Sequence, residues 1–151
     1  MTGSAPAVPA SVPASAVARI VDFFEHLAPA DLARIDQIYA SDAHFKDPFN
    51  EVRGCAAIGA IFGHMFEQVA EPRFIVHDRI GDEHEVFLTW DFEFRRGRGD
   101  TLRIRGASHL RLNGQGRITW HRDYWDAAEE LYEKLPLVGT LMRWLKRRAA
   151  A

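Results

Sequence analysis

The stretch Phe45-Lys46-Asp47-Pro48-Phe49 ends an alternating apolar and polar segment and precedes a helical pattern that begins near Gly54. Proline cannot donate a ladder hydrogen bond and keeps the preceding residue extended, so we expect a strand that ends at Asp47. A carboxylate fixed between two phenylalanines is a candidate general base. Asp-Pro is also a common turn dipeptide, so the alternative is that Asp47 only organises the turn.

The composition predicts one globular domain with a sizeable core, because 47% of the 151 residues are hydrophobic and 26% are charged. The net charge of -2 argues against nucleic acid as a partner, since duplex-binding domains carry a basic surplus. Cys55 is the only cysteine, so no internal disulfide is expected. Residues 1–14 predict a flexible tail without the features of a signal peptide. With no apolar run near twenty residues, a cytoplasmic location is expected.

Apolar residues at helical spacing predict three helices in the first half of the chain. Ser15 is a candidate N-cap for the first helix. The apolar faces are Val17, Ile20, Val21, Phe24 and Leu27; Leu32, Ile35, Ile38 and Tyr39; and Ile58, Ile61, Phe62, Met65, Phe66 and Val69.

Alternating segments predict a sheet in the second half, with strands at 74–79, 86–95, 102–112 and 117–125. In the second strand the even positions are apolar from Val86 to Phe94, so that face is expected to be buried. A hairpin about Gly97 and Arg98 would set Glu93 opposite Arg103 and Asp91 opposite Arg105.

The orientation of the last strand depends on the turn before it. Asn113-Gly114 is a strong signal for a two-residue hairpin loop, and an even loop pairs even positions with odd ones. His121 and Asp123 would then point into the interior, with Ser108 or Gly106 facing His121. A three-residue loop would reverse this assignment.

Buried titratable side chains must pair with each other, contact water or line a cavity. The two interpretations are therefore a His121–Asp123 pair inside the core and a ligand pocket that Asp47 also reaches. We expect no metal site, because the seven histidines and the single cysteine show no ligand spacing.

The order of these elements resembles the nuclear transport factor 2-like superfamily, which includes SnoaL-like polyketide cyclases and ketosteroid isomerases. The resemblance covers residues 15–126 and rests on four segments: Ala30-Asp31-Leu32, Ala43-His44-Phe45-Lys46-Asp47-Pro48, Gly54-Cys55-Ala56-Ala57-Ile58 and His109-Leu110-Arg111-Leu112-Asn113-Gly114. It implies an α+β fold in which a cone-shaped, curved antiparallel sheet wraps around the N-terminal helices. Residues 127–151 would add an amphipathic helical extension.

In that family a deep pocket lies between the sheet and the helices. The resemblance implies that Asp47, His121 and Asp123 are catalytic, with Asp47 at the position of the isomerase general base. The implied substrate-binding residues are Phe23, Phe62, Trp90, Phe92, Ser108 and Trp125. Phe23 and Ser108 stand where the isomerases carry their two strong oxyanion donors, so efficient ketosteroid isomerisation is not expected.

The sequence therefore predicts a domain for a hydrophobic small molecule with a carbonyl or hydroxyl group. The expected chemistry is acid/base catalysis of the isomerase, cyclase or dehydratase type, without a cofactor. The alternative is a non-catalytic binding or protein-interaction module. The resemblance also implies a homodimer formed through the outer sheet face, where Trp120 and Tyr124 lie. For the extension, a lid over the pocket is expected, and contact with a partner or a membrane surface is the alternative.

Overall fold

The computed structural model describes residues 15–130 and residue 147. Its elements are α1 (Ala16–Glu25), a 3-10 helix (Pro29–Gln37), β1 (Tyr39–Lys46), β2 (Glu51–Arg53), α2 (Cys55–Gln68), β3 (Ala70–Gly81), β4 (Glu85–Arg95), β5 (Thr101–Leu112), β6 (Ile118–Tyr124) and α3 (Ala127–Glu130). The predicted tail at 1–14 lies outside the described residues, as does most of the predicted extension. No helix in the described ranges is long and apolar enough to span a membrane.

The N-terminal helices follow the predicted pattern, but four residues lie beyond the ends of the helices predicted to contain them: Leu27, Ile38, Tyr39 and Val69. Ser15 caps α1, since its Oγ accepts a hydrogen bond of 3.0 Å from the backbone N–H of Ala18. The second helix is of the 3-10 type and ends at Gln37, so placing Tyr39 on its apolar face is wrong. Tyr39 instead begins β1, because the backbone here pairs with Ile118 of β6.

The six strands form one curved, unclosed sheet in the order β2-β1-β6-β5-β4-β3. Every neighbouring pair is antiparallel except β1 and β6, which run parallel. The predicted α+β class is confirmed. The parallel pair arises because the chain passes through α2 and the long β3–β5 meander before β6 returns beside β1.

The β4–β5 hairpin has the predicted register, with Glu93 opposite Arg103 and Asp91 opposite Arg105. Arg103 Nη2 lies 2.7 Å from Glu93 Oε1, whereas Arg105 makes an ion pair with Glu130 of α3 at 3.4 Å. The Arg103–Glu93 pair joins β5 to β4 and supports their register, whereas the Arg105–Glu130 pair joins β5 to α3.

The turn between β5 and β6 differs from the predicted two-residue loop. The backbone N–H of Asn113 donates to Arg117 O at 2.9 Å, which encloses three residues. Gly116 has a φ of +70°, and the Asn113 side chain accepts from the backbone within the turn. Such an odd loop pairs residues of equal parity, so Leu112 lies opposite Ile118 and both are buried.

A β-bulge at Thr119 restores the predicted parity along the rest of β6. Thr119 has no residue opposite it, and beyond it His121 pairs with Leu110 and Asp123 with Ser108. His121 and Asp123 therefore face the interior as the parity argument predicts, but an odd loop and a bulge compensate each other to place them there. Ser108 faces Asp123 rather than His121.

The core lies between the inner face of the sheet and the N-terminal helices. Its largest fully buried side chains are Tyr39, Phe45, Ile20, Ile58, Leu110, Ile118 and Val21. The predicted buried face of β4 is confirmed for Val86, Leu88, Trp90 and Phe94.

Candidate functional site

A continuous chain of hydrogen bonds crosses the interior from β4 to β1. Trp90 Nε1 donates to Ser108 Oγ at 2.8 Å, and Ser108 Oγ donates to Asp123 Oδ1 at 2.5 Å. The same Oδ1 lies 2.7 Å from His121 Nε2, and His121 Nδ1 lies 2.6 Å from Tyr39 Oη. Four strands thus contribute side chains to one polar network inside an apolar core.

Most directions in this chain follow from the chemistry of the groups. An indole N–H can only donate, so the Ser108 oxygen accepts from Trp90 and sends its own proton to Asp123. An ionised carboxylate can only accept, which assigns a proton to His121 Nε2. Asp123 Oδ1 therefore receives two hydrogen bonds, while Oδ2 receives none from the described residues.

The network borders a narrow cavity of about 30 Å³. A single water needs roughly 10–15 Å³, so this space holds one or two waters and no larger ligand. The lining residues are Phe24, Phe62, Phe74, Val76, Leu88, Trp90, Ser108, Leu110, His121 and Asp123. The interior of the cone is thus largely filled by its own side chains.

Aromatic side chains hold the imidazole of His121 in place. The ring centroid of Phe45 lies 4.8 Å from that of His121 and the centroid of Phe24 lies 5.9 Å away, both in edge-on arrangements. The His121 side chain is 5% exposed and that of Asp123 is 17% exposed. His121 is therefore sealed inside the protein, whereas Asp123 reaches the surface.

A second, open space lies on the other side of Asp123. We call it the outer cleft; its volume is about 800 Å³, and its lining residues are Lys46, Asp47, Pro48, Phe49, Asn50, Glu51, Arg122, Asp123, Tyr124, Trp125 and Asp126. Asp123 lines both the outer cleft and the inner cavity. Asp123 is therefore shared by the sealed network and by a space that is large enough for a small molecule.

Asp47 lies in the wall of the outer cleft and does not line the inner cavity. Its Oδ1 accepts from the backbone N–H of Phe49 at 2.7 Å and of Asn50 at 2.6 Å. The Asn50 side-chain amide adds contacts of 3.1 Å to both carboxylate oxygens. Phe49 is 54% exposed and does not bury the acid. The structure therefore separates Asp47 from His121, because the turn itself holds its carboxylate.

The other predicted binding residues divide into two groups. Three of them line the inner cavity: Phe62, Trp90 and Ser108. The other three do not line this cavity. Phe23 packs edge-on against Phe24, and Phe92 stacks on Phe74 with ring centroids 4.4 Å apart. Trp125 lies in the outer cleft. In the structure the hydroxyl of Ser108 is engaged by Trp90 and Asp123.

Sequence reasoning did not place Tyr39, Phe24 or Phe74 at the site. The buried residues Tyr39, Ala43 and Phe45 share odd parity in β1. Extending the strand by four residues, from Ala43 to Tyr39, would have included Tyr39, although Ser41 between them is exposed. In β3, Phe74 and Val76 both line the inner cavity, as expected for alternate residues on one face of a strand.

Tyr39 is wholly buried at the end of the network. Burial raises the pKa of its hydroxyl well above the usual range, and the charge of Asp123 adds to this effect. The Tyr39 hydroxyl therefore keeps its proton at ordinary pH values.

Within the described residues, no group of three or more His, Cys, Asp or Glu side chains is arranged to hold a metal ion. Among their buried side-chain nitrogen and oxygen atoms, His44 Nδ1 is the one without a hydrogen-bond partner. It lies on the outer face, where the His44 ring stacks on Trp120 with centroids 4.4 Å apart. The unpaired atom is therefore remote from the inner cavity.

The chain belongs to the family of SnoaL-like domains, whose model matches residues 20–121. This span includes β1 to β5 and ends at His121, so Asp123 and the outer-cleft residues of β6 fall just beyond it. No curated protein sequence matches the chain significantly.

Three solved structures illustrate the fold. An LEH-like epoxide hydrolase from M. tuberculosis is 21% identical with a TM-score of 0.63, over 85% of this chain and 94% of that one. A protein with a ketosteroid isomerase-like fold from Catenulispora acidiphila DSM 44928, in complex with trimethylamine, is 16% identical with a TM-score of 0.65, over 77% and 88%. A protein classed as a SnoaL-like polyketide cyclase from Shewanella putrefaciens CN-32 is 18% identical with a TM-score of 0.62, over 77% and 82%. Identities this low show the shared fold alone.

Proposed function

We propose that this SnoaL-like domain binds a hydrophobic small molecule with a carbonyl or hydroxyl group and transfers a proton on it without a cofactor. The observation that carries the proposal is the position of Asp123. One of its oxygens is held by Ser108 and His121, and the other receives no hydrogen bond from the described residues. A carboxylate fixed in this way can take a proton from a bound molecule without giving up its supporting bonds.

The volumes of the two spaces favour the outer cleft as the binding place for the ligand. The inner cavity of about 30 Å³ admits only water or a group of similar size, whereas the cleft measures about 800 Å³. Phe49 and Trp125, whose ring centroids lie 5.4 Å apart, offer an aromatic wall to the body of the ligand. Asp47 lies in the same wall and is the alternative base, although its carboxylate already accepts hydrogen bonds from Phe49 and Asn50.

A non-catalytic binding or interaction module is the second candidate. The observation in its favour is that His121 and Asp123 bond to each other at 2.7 Å in an interior that is nearly filled. In that case the polar network would serve the specificity of the fold, and the outer cleft alone would bind the ligand or partner.

Deuterium exchange separates these candidates. A panel of hydrophobic ketones and enones would be screened for binding by amide chemical-shift changes. Each binder would then be followed for uptake of solvent deuterium beside its carbonyl. We expect Asp123→Asn to retain binding and to lose exchange by about 10²- to 10⁴-fold, the usual contribution of a general base. Asp22→Asn is the matched control, because that side chain is 77% exposed on α1.

The outcomes have distinct meanings. Binding without exchange by the wild type would contradict catalysis and favour the module. Loss of exchange in Asp47→Asn but not in Asp123→Asn would move the base to Asp47. A standard Δ5-3-ketosteroid belongs in the panel as a compound expected to isomerise poorly. Phe23 offers no hydrogen-bond donor, and Ser108 already donates to Asp123.

A homodimer through the outer sheet face is part of this proposal. That face exposes Ile80, Phe87 and Tyr124 by 63%, 42% and 46%. Phe87 stacks on His109 with ring centroids 4.3 Å apart, so the two rings form one aligned aromatic surface for a second copy to contact. Exposed apolar side chains grouped on one sheet face favour association with another copy.

A further inference from the structure

The proposed function leaves the two ends of the network, Trp90 and Tyr39, unused, and Tyr39 is the end that contacts His121. It lies at the start of β1, is 0% exposed and places its hydroxyl oxygen 2.6 Å from His121 Nδ1. It stands at the opposite end of the imidazole from Asp123, so it does not contact a ligand in the outer cleft.

The proton on this hydroxyl has one favourable destination. Burial keeps the phenol protonated, and among the described residues its oxygen has a hydrogen bond with His121 alone. If Nδ1 carried a proton, the Tyr39 oxygen would have to accept it and its own hydrogen would point into the packed core unpaired. A buried donor without an acceptor is strongly disfavoured. The favoured arrangement is Tyr39 O–H donating to an unprotonated Nδ1.

We propose that Tyr39 is a positioning residue that fixes the proton of His121 on Nε2, so that the imidazole serves Asp123 as a hydrogen-bond donor. The two nitrogens of the ring then have different roles. Nδ1 accepts from Tyr39, which sets the tautomer, and Nε2–H donates to Asp123 Oδ1. The proton taken from a ligand therefore stays on the carboxyl group of Asp123 and does not pass on to His121. Only this last use rests on the proposed function; the tautomer itself does not.

Nitrogen-15 NMR of the histidine rings tests the proposal without a substrate. In the wild type at neutral pH, we expect His121 to be at least about tenfold in favour of the Nε2–H tautomer, which corresponds to about 1.4 kcal/mol. Asp123→Leu removes the carboxylate at similar size. If Tyr39 fixes the tautomer, the preference persists in this variant and falls to the ratio of free histidine in Tyr39→Phe/Asp123→Leu. Tyr124→Phe is the matched control for this substrate-free measurement, because Tyr124 is 46% exposed and lines the outer cleft but not the inner cavity.

Two results would overturn the assignment: a proton on Nδ1 in the wild type, or loss of the preference in Asp123→Leu alone. A second measurement does not require the leucine variant to fold. The wild type should show a slowly exchanging hydroxyl proton with a nuclear Overhauser contact to the His121 ring, which Tyr39→Phe should lack. Its absence from the wild type would also reject the proposal. Failure to find a catalysed reaction would leave all these readouts unchanged, so the two hypotheses fail separately.

Discussion

Replacement of Gly106 by alanine tests how the network is assembled. Gly106 lies opposite Trp90 in the β4–β5 ladder, and an added Cβ would stand 2.5, 2.7 and 2.9 Å from three carbons of the indole ring. The ring is rigid and also packs against Phe74, so it must move as a unit. Such overpacking costs about 1–3 kcal/mol, and loss of the Trp90–Ser108 hydrogen bond adds about 1 kcal/mol. Alanine recovers about 0.5–1 kcal/mol of backbone entropy. We expect Gly106→Ala to be about 1–3.5 kcal/mol less stable.

Urea unfolding measures this change, with Gly59→Ala as the matched control. At Gly59 in α2 the new methyl would lie 3.8 Å from Ile35, an ordinary contact, and alanine favours the helix. The two substitutions should therefore shift the free energy of unfolding in opposite directions. The indole N–H resonance of Trp90 should move in Gly106→Ala and stay in the control. A Gly106→Ala protein as stable as the wild type would show that Trp90 is not seated on this glycine.

Three further expectations follow from buried or exposed groups. Because the folded state raises the pKa of Tyr39 above 10.0, its contribution to stability is present below pH 10 and is lost as the pH rises further. The unfolding free energy of the wild type should fall above pH 10 more steeply than that of Tyr39→Phe, and equal slopes would contradict this. Burial, together with the charge of Asp36, raises the pKa of the Cys55 thiol. Cys55 in the native protein should therefore react with a thiol reagent at least about tenfold more slowly than Cys55 in the urea-unfolded protein. Equal rates would refute that. Light scattering should give a dimer mass at micromolar concentration and a monomer mass for Phe87→Glu, whereas a monomeric wild type would exclude the dimer.

Much of the fold was predictable because its signals are local. Ser15 before an apolar helical pattern specifies the start of α1, and the alternation in β4 specifies which face is buried. The pairing of Glu93 with Arg103 follows from counting back from Gly97. The parallel pairing of β1 with β6 joins segments distant in the chain, and no local pattern encodes it. The short strand β2 was missed for a different reason: three residues are too few to show alternation.

The turn before β6 shows how a correct orientation can rest on incomplete reasoning. Asn113 indicates a turn, but its side chain accepts hydrogen bonds from residues two and four positions ahead and so supports a wider loop. The bulge at Thr119 then adds one residue to β6, which turns His121 and Asp123 back toward the interior. Neither feature is visible as periodicity, and each alone would have turned His121 and Asp123 to the other face. Their inward position is therefore a property of the two irregularities together.

Asp47 and Asp123 show why sequence could not choose between two candidate bases. Both follow or end apolar strands, and both carry aromatic neighbours in the chain. What distinguishes them is the source of their hydrogen-bond donors. Asp47 is occupied by Phe49 and Asn50, two and three residues ahead, so its local sequence already accounts for its carboxylate. The donors to Asp123 include Ser108 of the neighbouring strand, and they hold one oxygen only. We base the proposed proton transfer at Asp123 on this difference, because its tertiary surroundings position the carboxylate and leave one oxygen without a hydrogen bond from the described residues.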